Sequence, residues 1–154
     1  MKIFLFFLVA LVIAQHDHSL HVDTGFISGE ARRIGWLTLE SIEGAMKEYI
    51  DALKLYEKKH EEFFANPREG EEEIVKEIWA TKFEVNYRGT VDRLLIAEQV
   101  CIDVYGSGRC EVSEDVYSFS LDTRGAEFRE EFMREIHRSI KDEVSLVKKS
   151  RRDL

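Results

Sequence analysis

Hydrophobic positions recur at alternating steps of three and four over long stretches of this chain. From Leu39 to Phe63 the residues Leu39, Ile42, Met46, Tyr49, Leu53, Tyr56 and Phe63 keep that spacing, with His60 filling the last step. This is the stripe of an amphipathic helix. Ile34, Trp36 and Leu37 carry the pattern back towards Ser28, so the helix is placed at about 28–65. Gly29, Gly35 and Gly44 each cost about 1 kcal/mol against alanine, which weakens the first turns and makes a start near Thr38 the alternative. Asn66-Pro67 ends the helix, because proline lacks a donor and turns its predecessor away from helical backbone. A second stripe, Val75, Trp79, Phe83, Tyr87, Val91, Leu94, Ala97, Cys101 and Tyr105, predicts a helix over 71–105. Acidic residues from Glu69 to Glu73 stand where the helix dipole favours them. A third, Phe128, Phe132, Ile136, Ile140, Val144 and Val147, predicts a helix over 123–149 capped by Asp122 or Thr123, with glutamates early and lysines late.

Two stretches lack this period. Residues 15–27 are polar and read as a tail containing His16, His18 and His21. In 112–121, Tyr117, Phe119 and Leu121 alternate with polar residues as in a strand, while Ser113 is placed to cap a short helix. A lone strand has no partner, so a short helix or extended connector is expected. The predicted fold is all-α: three or four long amphipathic helices in an antiparallel bundle, since short connections join antiparallel neighbours. Cys101 and Cys110, with Gly106-Ser107-Gly108 between them, form one short disulfide-closed loop at the corner between the second helix and the 112–121 stretch.

Composition adds a compartment. Residues 1–14, MKIFLFFLVALVIA, carry one charge at Lys2 and an apolar run from Ile3 to Ala14, the pattern of a secretory signal peptide cut after Ala14. The run is shorter than the roughly 20 residues needed to span a bilayer, so no membrane span is expected. Losing Lys2 leaves 21 Lys and Arg against 30 Asp and Glu, a net charge of −9. That balance argues against nucleic acid, whose phosphates it would repel. The 140 remaining residues suit one domain, 28–150, followed by a basic tail, 151–154. Export makes the cysteine pair a disulfide. The final Arg-Arg-Asp-Leu is similar to the K-D-E-L class of retrieval tails, departing from it at Arg152, so the lumen of the endoplasmic reticulum is the alternative to secretion.

Candidate chemistry is sparse. His16, His18 and His21 form an HxHxxH cluster of the ligand type preferred by copper, nickel and zinc, although no fixed fourth ligand accompanies them. His60-Glu61-Glu62-Phe63-Phe64 has half of a zinc-protease motif and lacks its second histidine. Gly106-Ser107-Gly108 lacks the spacing of a nucleophile turn. No cofactor is implied and no enzyme is expected. Arg32-Arg33 and the basic cluster from Lys148 to Arg152 are placed as processing sites or, more simply, as helix surface. The leading expectation is a secreted, non-enzymatic helical protein that binds an extracellular macromolecule, with another protein as the expected partner. The alternative is a carrier of a small hydrophobic ligand between its helices, lined by Trp36, Trp79, Phe83, Tyr87, Phe128 and Phe132.

Overall fold

The computed structural model describes residues 22–65, 73–110 and 113–152. Every regular element in them is helical: α1 (Thr24–Gly35), α2 (Leu39–Ala65), α3 (Glu73–Tyr105), a 3₁₀ turn (Ser107–Arg109) and α4 (Ser113–Arg152). No helix among the described residues is long and apolar enough to cross a membrane. The leader at 1–14, the cluster His16, His18 and His21, the Asn66-Pro67 turn and the last two residues lie outside the described residues.

The expected first helix is in fact two, and the first of them begins inside the stretch read as a polar tail. Asp23 caps α1, its carboxylate accepting from the Phe26 amide at 3.0 Å. Ile27, Ala31 and Ile34 then bury one face, a stripe only two turns long and flanked by glycines, which is why the longer pattern of α2 absorbed it. The chain leaves the helix at Gly35, where Trp36 and Leu37 turn it. Thr38 starts α2, taking the Ser41 amide on its hydroxyl at 3.2 Å. That hydrogen bond satisfies a donor the helix itself leaves free, and it fixes the alternative start near Thr38 as the real one. Tyr105, at the end of α3, donates to the Leu37 carbonyl at 2.9 Å and ties the turn down.

α3 is the central element. Leu94, Leu95, Ile96, Ala97 and Glu98 are consecutive and all buried, so the helix is covered on every side there, as a helix at the middle of a core must be. It packs against α1, α2 and α4. Along α2 and α3 the partners run in opposite order: Glu57 meets Tyr87, His60 meets Phe83 and Phe63 meets Trp79. Along α1 and α4 they rise together, Ser28 with Ser139 at 2.9 Å and Arg32 with Glu143 at 2.7 Å. Arg33 is held by Glu30 at 2.9 Å. Both arginines of that dibasic pair therefore sit on the exposed surface of a helix.

The 112–121 stretch is helical from Ser113 onward, not extended. Val116, Phe119 and Ser120 are its buried positions and Tyr117 is exposed, a helical spacing that the alternation of Tyr117, Phe119 and Leu121 conceals. The expected helix over 123–149 continues this one across a bend at Gly125, whose φ of 84° and ψ of 172° belong to a region that only glycine enters freely. Cys101 and Cys110 are bonded, closing the corner between α3 and α4. Gly106, with φ 94°, starts the turn inside that loop.

Candidate functional site

Among the described residues, the buried positions stop at Leu53 on α2 and resume at Tyr87 on α3. Beyond that level, 54–65 and 73–86 form a two-helix arm. Its inner seam is a ladder of rings. Phe63 meets Trp79 at 5.6 Å, Tyr56 meets Phe83 edge-on at 6.4 Å, and His60 lies 4.4 Å from Phe83. Phe83 continues to Tyr87 at 5.5 Å, and Tyr87 reaches Phe119 of α4 at 6.3 Å. The helical spacing of α2 and α3 stacks the arm's rings on one side each, and two helices alone leave Tyr56, His60, Phe63 and Phe83 only partly buried. Four of the seven large apolar residues that the described chain exposes, Leu55, Ile78, Trp79 and Val85, lie on this arm.

A groove of about 400 Å³ opens at the base of the arm. Phe83, Tyr87 and His60 form its floor, and Glu57, Glu61, Glu84, Arg88 and Asp122 its walls. All five wall residues are exposed. Arg88 is engaged by Glu84 at 2.5 Å. The Tyr87 hydroxyl donates to Glu57 at 2.6 Å. Burial, then that hydrogen bond and the charges of Glu57 and Asp122, push the Tyr87 phenol well above its ordinary range. Tyr87 is thus a fixed neutral donor, and four carboxylates against one arginine make the groove electronegative where it is lined by His60, Phe83 and Tyr87.

A second hollow of about 460 Å³ lies between α1 and α4. Ile27 is its one large apolar lining residue. Its charges are spent locally, Arg138 on Glu135 and Glu143 on Arg32. It offers no ring floor, and the groove on the arm is the better candidate.

The six residues named as a cavity lining fall in four places. Trp36 is 78% exposed at the turn before α2, and Trp79 is 58% exposed towards the arm tip. Phe83 and Tyr87 share the groove floor. Phe128 and Phe132 stack on each other at 5.4 Å in the core of α4. His137 sits on the surface with Nδ1 2.9 Å from Asp103, and no group of three or more metal-ligating side chains occurs among the described residues. Nothing in the sequence singles out the carboxylates of the groove, and His60 stands there only as half of a zinc-protease motif. The one hint is that His60 fills an apolar step between Tyr56 and Phe63, which places it against whatever α2 packs on. Comparison with protein-family models, with curated proteins and with solved structures gives no match.

Proposed function

We propose that this chain is a secreted, non-enzymatic binding protein, an all-helical domain whose antiparallel α2–α3 arm takes a basic segment of an extracellular protein partner. The observation that carries the reading is the groove at the base of the arm, where carboxylates rise on several sides of a floor made by His60, Phe83 and Tyr87. A lysine ammonium or arginine guanidinium is attracted by ring faces and carboxylates together, at about 0.5–2 kcal/mol for each cation over a ring. The net charge of −8 draws such a segment in from a distance. Exposed Ile78, Trp79 and Val85 alongside would extend the contact with apolar area. The formed disulfide is compatible with an oxidising compartment. The carrier reading has less support, since its six lining residues do not share one space.

A photoreactive side chain in place of Glu61, on the groove wall, should crosslink to a discrete partner on cells or in medium, and a lysine-rich peptide should suppress the product. The same probe at Arg138, beside the other hollow, should give no product. Equal labelling from both positions would contradict the assignment of the arm.

A further inference from the structure

α4 carries this chain's own basic segment to the end of the molecule opposite the groove. From Val144 to Arg152 it holds Lys148, Lys149, Arg151 and Arg152 and no acidic residue. The segment is helical, and Lys149 is exposed. Its place follows from the contacts of α4 along α3. Phe119 meets Tyr87 at the groove, Arg124 binds Asp92 at 3.1 Å, Arg129 lies 3.6 Å from Glu98, and His137 lies 2.9 Å from Asp103. Partners on the two helices therefore rise together, and the two arginines brace α4 on either side of the bend at Gly125. α3 ends at Tyr105 while α4 continues to Arg152. At 1.5 Å per residue, Lys149 stands roughly 40 Å from the groove along the helix axis. The groove of one copy is out of reach of its own basic end and open to that of another.

The two ends match in their apolar parts as well as in charge. α1 runs alongside α4, with Arg32 bonded to Glu143 at 2.7 Å. Trp36, one turn beyond Arg32 and exposed to solvent, therefore belongs to the basic end. At the other end, Ile78, Trp79 and Val85 are exposed on the arm that holds the acidic groove. One end thus offers cations with an indole, and the other carboxylates with apolar surface.

We propose that the basic end of α4, with Trp36, docks on the arm groove of a second copy, so that this chain associates head to tail. The proposal rests on the groove taking basic side chains and makes a second copy of the chain the partner that supplies them. Donor and acceptor are different surfaces, so each added copy leaves one of each free, and association runs on into open chains or rings instead of closing as a two-fold dimer. Copies with a net charge of −8 repel one another, and salt screens that repulsion. Association that is strongest at low salt therefore requires a local attraction between opposite charges.

Sedimentation velocity of the disulfide-bonded chain, as recovered from a secreting host, tests this. At about 20 mM salt the weight-average mass should about double between roughly 10 µM and 1 mM chain, as a small interface allows. Raising the salt to about 500 mM should return the monomer. A basic-end variant (Lys148→Ala, Lys149→Ala, Arg151→Ala, Arg152→Ala) and a groove variant (Glu57→Gln, Glu61→Gln) should each stay monomeric alone. Mixed, they should form a dimer and nothing larger, since one groove and one basic end remain between them. A wild-type chain that is monomeric throughout, association that rises with salt, or association that survives in either variant alone would overturn the proposal. A lysine-rich peptide that still shifts His60, Phe83 and Tyr87 in a chain that never associates would leave the groove reading standing and remove only the second copy as occupant. Failure of peptide and association together would remove both.

Discussion

Replacing Phe132 with alanine should destabilise the chain by about 3–5 kcal/mol, measured as a lowered urea midpoint at unchanged slope. Phe132 is 2% exposed and stacks on Phe128, whose own ring carries the Arg124 guanidinium. Truncation removes a large transfer term and leaves a hole beside a helix pinned on both sides of Gly125, where collapse is restricted. Trp36→Ala should change stability by less than about 0.5 kcal/mol, because that ring stands in solvent at the α1–α2 turn. The contrast separates two readings of the same aromatic residues. A Phe132 that lined a ligand space would lose little on truncation, and a loss below about 1.5 kcal/mol would favour the carrier.

The second large effect lies at the corner between α3 and α4. Converting both Cys101 and Cys110 to alanine should cost about 2–3 kcal/mol, the loop-closure value for a short ring, and reductant should leave the double variant unchanged while shifting the wild type by the same amount. The cysteines are nine positions apart and both buried, so the bridge restricts a short stretch of the unfolded chain at the point where α4 must be delivered to α3. Urea melts with and without reductant measure it. A loss under about 1 kcal/mol would mean that the Gly106 turn and the buried Val100 and Val116 hold the corner by themselves.

Legibility followed range. The stripe Ile42, Met46, Leu53 is local and strongly periodic, and all three residues are buried; the cysteines with a glycine turn between them are local too, and the bond is formed. α1 was hidden because three apolar residues between glycines give too little period to stand against the longer α2 stripe. In 113–124 a period of two, set by which residues are aromatic, masked a period of three to four, set by which ones face α3. The groove and the braced bend depend on pairs far apart in sequence: Glu57 with Tyr87, Asp92 with Arg124, Glu98 with Arg129. In a chain with 34% charged residues, nothing local distinguishes these carboxylates from their solvated neighbours. Phe83 and Tyr87 were identifiable as functional candidates, but as the lining of an interior, whereas the arm leaves them at the floor of an open groove.

Whether the groove receives basic side chains is tested most directly by a chemical-shift titration with a short peptide alternating lysine and glycine. The groove predicts saturable shifts centred on His60, Phe83 and Tyr87, with affinity reduced about tenfold in a Glu57→Gln, Glu61→Gln double variant, the equivalent of about 1.4 kcal/mol from two ion pairs. Shifts spread evenly over the acidic surface, reaching 135–143 as strongly as the arm and indifferent to the two substitutions, would contradict it.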